Sequence, residues 1–114
     1  MTRVIRSAGT GVESIEPIAA DRLVEGAPTT RTILDYEDPE HRTFVGEWFG
    51  EIGAWRVKYE EFEFCYVLEG VCELVGDDGV TQKFCAGDSF VIEPGFTGVW
   101  RVIEPMRKKF VVRL

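Results

Sequence analysis

The sequence predicts an all-β domain, and two observations carry this prediction. From Thr43 onward, short apolar runs are separated by turn residues about every 8 to 12 positions, which is typical of a β-sandwich or β-barrel. The segment "GDDG" at 76–79 and the pairs Gly87-Asp88 and Pro94-Gly95 are the clearest turns. No stretch keeps a helical period for more than one or two turns, so we expect strands only.

The clearest strand is "WRVKYE" at 55–60, where Trp55, Val57 and Tyr59 alternate with charged residues and should share one buried face. Further strands are predicted in the runs "FEFCYVL", "GVCELV", "TQKF", "SFVI", "VWRVI" and "KFVVRL". Residues 1–30 contain glycine and proline without a period, and we interpret them as an N-terminal arm that could pack on a partner subunit. Residues 31–114 then form a single barrel, with a polar loop at 34–42.

The alternation changes phase after Tyr59. Apolar residues occupy odd positions up to Tyr59 and even positions from Phe62 to Leu68. Since a shift of one residue turns every side chain to the opposite face, either the chain bends at Glu60-Glu61 or both faces of the second run are covered. In the second case Glu63 would point into the interior, where a carboxylate needs a partner.

Composition excludes several classes of partner. One domain of 114 residues carries a net charge of −7, which argues against binding to nucleic acid or an anionic membrane. The short basic run "MRKKF" at 106–110 is predicted to be a solvated strand edge. Neither a membrane-length apolar run nor an apolar core of signal-peptide length is present, so we expect a cytoplasmic protein. Cys65, Cys72 and Cys85 form no C-x-x-C pattern and are predicted to be reduced core thiols.

Two segments together resemble the two motifs of the cupin superfamily: "GAWRVKYEEFEFCYVLEG" at 53–70 and "GDSFVIEPGFTGVW" at 87–100. The ending "EPMRKKFVV" at 104–112 is similar to small cupins related to ureidoglycine aminohydrolase and ethanolamine-utilisation proteins. The resemblance implies a double-stranded β-helix, or jelly-roll barrel. It also implies a homodimer, which light scattering would contradict by showing a monomer near 12.9 kDa.

The resemblance also locates the positions at which metal-bearing cupins hold their ion. Glu63 matches the family's glutamate, whereas the three histidine positions fall on Val57, Tyr59 and Gly98. The chain's single histidine, His41, matches none of them. A tight divalent site normally takes three or more suitable ligands, so we expect no metal cofactor. An unorthodox site built by Tyr59, Glu63 and Cys65 is possible but disfavoured.

In the cupin frame Glu63 points into the barrel, and a ligand pocket is predicted there, lined by Trp55, Val57, Tyr59, Glu63, Cys65, Gly98 and Trp100. Three functions stay open. The first is binding of a small metabolite, cationic or hydroxylated, without a metal. The second is an enzyme acting on an amide or ureido compound through Glu63 and Tyr59. The third is an assembly or regulatory protein with a filled barrel. The first is preferred.

Overall fold

The computed structural model describes residues 3–114, and this part of the chain contains nine strands and no helix. The all-β prediction is therefore confirmed. Since helices are absent there, none could cross a membrane. The strands are β1 Val12–Pro17, β2 Leu23–Glu25, β3 Thr29–Asp38, β4 Thr43–Gly50, β5 Gly53–Lys58, β6 Phe62–Gly76, β7 Thr81–Cys85, β8 Ser89–Ile92 and β9 Thr97–Arg113.

All nine strands belong to one curled, antiparallel sheet in which the long strands β6 and β9 pair with each other. The first half of β9 also pairs with β5, and its second half pairs with β4. Likewise the first half of β6 pairs with β8, and its second half pairs with β7. Each long strand therefore serves both halves of the curled sheet, which closes around an interior.

Both long strands bend at the same level. Gly70 in β6 has a φ of +87°, and a Cβ there would lie 2.2 Å from the carbonyl oxygen of Pro105 in β9. The pairing register shifts on either side of Gly70, as expected at a bulge. Only glycine tolerates both this backbone conformation and this close approach. The corner of the sheet thus depends on Gly70.

The N-terminal strands extend the same sheet. β1 pairs with β3, and β2 pairs with β5, so both strands pair within their own chain. The boundary predicted at residue 30 falls inside β3, which begins at Thr29. The predicted polar loop at 34–42 is wrong over its first half, because β3 continues to Asp38. β3 is mostly half-buried, so its charged side chains can remain solvated while its backbone pairs with β1 and β4.

The core is formed by inward-pointing residues at alternate positions along the strands, including Trp55, Val67, Trp100 and Val102. Cys65 and Cys72 are free and buried in this core, as predicted. Cys85 is free but exposed at the end of β7, so its prediction as a core thiol is wrong. Only one face of β7 packs against the rest of the protein. Because side chains alternate between the two faces of a strand, Cys85 lies on the face toward solvent.

The change of phase corresponds to a break between strands. β5 ends at Lys58 and β6 begins at Phe62, so the chain turns between them. Inward positions in β6 are Glu63, Cys65 and Val67, while Phe64 and Tyr66 are 37% and 41% exposed on the outer face. The large apolar side chains of this run are therefore outside, and the carboxylate is inside. On the outer face Phe64 lies between Val91 of β8 and Val111 of β9.

Candidate functional site

A cavity of about 380 Å³ lies within the curled sheet, at the end where β5, β6 and β9 meet the N-terminal segment. Its lining is rich in aromatic and charged side chains. The aromatic members are Trp48, Trp55, Tyr59, Trp100 and Phe110, and the charged members are Arg22, Lys58, Glu61, Glu63 and Lys108. The remaining lining residues are Ile18, Thr30, Thr32, Val57 and Val112. Apolar walls with a few convergent polar groups are typical of small-molecule sites.

The central feature is a buried ion pair. Lys108 Nζ donates to Glu63 Oε2 at 2.5 Å, and the two side chains are only 5% and 8% exposed. Cys65 completes a triangle, since its Sγ lies 3.2 Å from Glu63 Oε2 and 3.3 Å from Lys108 Nζ. β6 supplies Glu63 and Cys65 from its inner face, and the neighbouring strand β9 supplies Lys108, which pairs with Val67 in the sheet. Within the protein the carboxylate thus already has its counter-ion.

Burial and charge have opposite effects on this cluster. Burial favours a raised pKa for Glu63, but the Lys108 ammonium and its hydrogen bonds lower that pKa overall, so the carboxylate stays ionised. Burial favours a lowered pKa for Lys108, yet the Glu63 carboxylate raises it, so the amine stays protonated. Burial raises the pKa of Cys65 to about 12. The pKa of Tyr59 is well above its usual value, through burial and the Glu63 charge.

Two tryptophans, Trp48 and Trp100, flank the lysine, and a third, Trp55, packs against Trp48. Trp48 packs edge-on against Trp100 with 5.7 Å between ring centroids, and it tilts against Trp55 at 6.1 Å. Lys108 Nζ lies 5.0 Å from the centre of the Trp48 ring and 4.6 Å from that of Trp100, within cation–π range. The faces of Trp48 and Trp100, which could have received a cationic ligand, therefore already lie against the protein's own ammonium.

The structure places the residues predicted for the pocket in three different settings. Trp55, Val57, Tyr59, Glu63 and Trp100 line the cavity. Cys65 is fully buried behind Glu63. Gly98 is outside the lining, because a Cβ there would lie 2.2 Å from the carbonyl oxygen of Val75. The expected space beside Trp100 is therefore not created by Gly98, whose missing side chain instead lets β9 approach β6.

Sequence reasoning missed Lys108, Trp48, Arg22 and Glu61. Lys108 was assigned to a solvated strand edge, which is wrong, because the side chain is 4% exposed. A usable signal was present: Trp100, Val102, Met106 and Lys108 share even parity along β9, and all are buried. Glu61, considered from the sequence only as the place of a bend, lines the cavity, and its pKa is raised by burial and by the neighbouring Glu63 charge.

The sequence from residue 38 to 110 matches the EutQ-like cupin domain. The chain belongs to this cupin family. The predicted cupin barrel is thereby confirmed, whereas the closer relation to ureidoglycine aminohydrolase is not shown. No curated protein matches this cupin significantly.

Solved structures show the same fold. A DUF861-family protein of unknown function from Pseudomonas syringae pv. tomato superposes with a TM-score of 0.83 at 18% identity, over 93% of this chain and 46% of that chain. EutQ from Clostridium difficile gives a TM-score of 0.68 at 18% identity, over 75% of this chain and 63% of that chain. A putative ethanolamine utilization protein Q from Salmonella typhimurium gives a TM-score of 0.67 at 15% identity, over 92% of this chain and 98% of that chain. This cupin thus spans less than two thirds of the first two proteins.

The residues at the cupin metal positions do not fit a divalent ion. Val57 offers no ligand atom, Gly98 has no side chain, and Tyr59 keeps its phenolic proton. Glu63, the one matching ligand, is bonded to an ammonium at 2.5 Å. A cation at Glu63 would have to displace Lys108 and would meet its charge, whereas a tight site needs several anionic or neutral donors.

Elsewhere in the described residues, one group of three potential metal ligands occurs, at Asp38, Glu40 and His41. It lies on the turn after β3, where Glu40 and His41 are exposed. The His41 ring nitrogen Nδ1 is 2.7 Å from Asp38 Oδ2, and this hydrogen bond accounts for the arrangement. The group is outside the barrel and has no connection with the cavity lining.

Proposed function

We propose that this cupin binds a small metabolite in its barrel cavity without a metal ion. The observation that supports this most directly is the cavity itself, about 380 Å³ with aromatic walls, in which Lys108 rather than a metal neutralises Glu63. A cavity of this size suits a small metabolite. The polar groups that would orient such a ligand converge from the N-terminal segment, β5, β6 and β9.

Catalysis at this cluster is less well supported. The resemblance to ureidoglycine aminohydrolase suggested amide or ureido chemistry through Glu63 and Tyr59. A general acid at neutral pH needs a raised carboxyl pKa, but Lys108 lowers that of Glu63. Cys65 with a pKa of about 12 is a poor nucleophile, since the thiolate is the reactive form. The environment therefore favours binding over reaction.

A cavity-filling variant tests the proposal. The protein is purified without a metal-binding tag, treated with a chelator, and screened by thermal shift and calorimetry against small anionic, neutral and cationic compounds. We expect at least one class to bind the metal-stripped wild type and to lose its binding in Val57→Phe, whose ring enters the cavity. Val91→Phe is the matched control, because Val91 is 53% exposed on the outer face.

Two outcomes would contradict the proposal. In one, no compound distinguishes the wild type from Val57→Phe, which would indicate a cavity that takes no ligand. In the other, binding appears only with a stoichiometric metal, measured by elemental mass spectrometry, and disappears after chelation. The second result would show that the ligand count at Val57, Tyr59 and Gly98 is misleading.

A further inference from the structure

The charge of the cavity is opposite in sign to that of the whole chain. The chain carries a net charge of −7. The cavity lining contains three cations, Arg22, Lys58 and Lys108, against the two carboxylates Glu61 and Glu63, which gives 3 − 2 = +1. A cleft lined by one sign of charge concentrates ions of the opposite sign. The cavity of this acidic protein therefore favours an anion.

The excess positive charge lies outside the buried pair, where Arg22 and Lys58 stand against Glu61. Deep in the cavity, Lys108 and Glu63 neutralise each other at 2.5 Å. Among the ion pairs of the described residues, none includes Arg22, and Lys58 is 3.9 Å from Glu60 with both side chains largely exposed. Exposed pairs of that kind are weak. Arg22 thus offers an uncommitted guanidinium, which binds a carboxylate through two parallel hydrogen bonds.

The backbone fixes the position of Arg22. Its N–H donates to the carbonyl of Ala19 at 2.9 Å, and its carbonyl accepts from the N–H of Arg56 in β5 at 2.8 Å. The turn before β2 is thereby attached to the wall of the barrel. These bonds fix the backbone of Arg22 beside β5, from which its side chain reaches the cavity lining.

The deep wall has an unused donor. Trp100 lines the cavity, is 2% exposed, and its Nε1 is buried with no hydrogen-bond partner among the described residues. An indole N–H can only donate, and a buried donor without an acceptor is costly. Because the neighbouring Lys108–Glu63 pair is already neutral, a neutral oxygen is a better match there than a second carboxylate. The apolar walls at Val57, Phe110 and Val112 suit a hydrocarbon body.

We propose that the ligand is a small carboxylic acid with an apolar body and a neutral carbonyl or hydroxyl oxygen. Its carboxylate is bound by Arg22, and its neutral oxygen accepts from Trp100 Nε1. This rests on the proposed binding function and specifies the chemistry of the ligand. It also replaces the cationic ligand considered from the sequence, because Lys108 already faces Trp48 and Trp100.

Four matched probes test the assignment by calorimetry on the full chain. They are 5-oxohexanoate, hexanoate without the oxo group, 2-hexanone without the carboxylate, and pentylamine as the cation. The oxo acid should bind most tightly. Removing either the carboxylate or the oxo group should weaken binding about tenfold or more, the effect of losing one charge-assisted or buried hydrogen bond. The amine should not bind.

Two variants assign the contacts. Arg22→Gln should weaken the oxo acid about tenfold or more and leave the ketone unchanged. The matched control is Arg56→Gln, whose guanidinium pairs with Asp77 and is outside the cavity lining. Trp100→Phe should remove the advantage of the oxo acid over the simple acid, with circular dichroism and the Kd of the simple acid confirming that the cavity is intact.

The proposal is overturned if the amine binds best, if Arg22→Gln and Arg56→Gln affect the oxo acid equally, or if the oxo group makes no difference to the wild type. These results would leave metal-free binding standing whenever Val57→Phe still abolishes the binding of another compound. If no compound at all distinguishes Val57→Phe from the wild type, the binding function itself fails.

Discussion

Arg107 and Lys108 are neighbours in β9, and each pairs with a buried glutamate. The two pairs lie on opposite faces of the sheet. Lys108 points inward to Glu63, and both side chains are under 10% exposed. Arg107 points outward, and its Nη2 lies 2.7 Å from Oε1 of Glu47. Glu47 is 1% exposed, but Arg107 is 36% exposed and also approaches Glu69 at 3.8 Å. Strand alternation alone sends the two cations to different surroundings.

The covers of the two pairs differ as well. The inner pair borders a cavity, whereas the outer pair lies beneath the chain's own N-terminal segment. A Cβ on Gly9 would lie 2.0 Å from Glu47 Oε2, and Lys109 Nζ donates to the Ser7 carbonyl at 2.5 Å. Asp35 fixes this segment by accepting from the Ser7 hydroxyl and from the N–H groups of residues 9, 10 and 11. The outer pair is therefore covered by the chain's own N-terminal segment, whereas the inner pair lines the barrel cavity.

The largest expected effect is a loss of stability, which should be greater for Lys108 than for Arg107. Lys108→Met leaves a buried carboxylate without its ammonium and should lower the free energy of unfolding by about 3–5 kcal/mol. Arg107→Met also leaves a buried carboxylate, but because Arg107 is 36% exposed, water can reach Glu47 in its place, and the cost should be about 1.5–3 kcal/mol. Urea denaturation of both variants measures the difference.

A double variant checks the reason for that loss. Glu63→Leu/Lys108→Met removes both charges and should recover most of the stability, since buried ion pairs replaced by apolar groups are often neutral to stability. An equal loss in the double variant would show that Lys108 acts through packing against Trp48 and Trp100 instead.

An intermediate effect is expected with pH. The folded-state pKa of Glu63 is lowered, so its contribution is present above its unfolded pKa and is lost as pH falls through the folded value. The stability gap between wild type and Glu63→Gln should therefore narrow from about pH 5 downward.

Asp35 also has a lowered pKa, because the amides of residues 9–11 and Ser7 outweigh its partial burial. Its Asn variant should show the same trend with a smaller amplitude, because Asp35 is far more solvated.

Urea midpoints at pH 7 and pH 3 measure both gaps. A wild type–Glu63→Gln gap that is the same at both pH values would show that Glu63 is not stabilised in its ionised form.

The smallest expected effect on stability concerns the N-terminal segment that lies over the Arg107–Glu47 pair. Gly9 has a φ of +70°, and any side chain there would collide with Glu47. Gly9→Ala should loosen residues 9–11, with faster amide exchange at the N–H groups bonded to Asp35, and should cost about 1–3 kcal/mol. Gly79→Ala is the matched control, because Gly79 has a φ of +86° and nothing within 4 Å of the added Cβ. Equal losses in the two variants would mean that only the backbone conformation matters and that the contact with Glu47 does not.

Much of the fold could be predicted from the sequence. Turn spacing and alternation indicated an all-β chain, and the two cupin motifs indicated the barrel. The missed parts have a common cause. β3 was partly assigned to a loop because its charged side chains resemble loop composition, although half-burial lets them remain solvated. β9 was predicted as two strands with a break at 104–108, and this break hid the parity that connects Trp100 to Lys108.

The candidate site was predictable only in part. The sequence by itself determined that the family's histidines are absent at Val57, Tyr59 and Gly98, and that Glu63 faces the barrel interior once the cupin register is applied. The tertiary structure alone decided that Lys108, 45 residues away along the chain, neutralises this carboxylate. It also brought Trp48 and Arg22 to the same cavity. Local patterns specify which face a side chain takes, but the pairing of distant strands specifies its neighbours, and the charge state of a buried group depends on those neighbours.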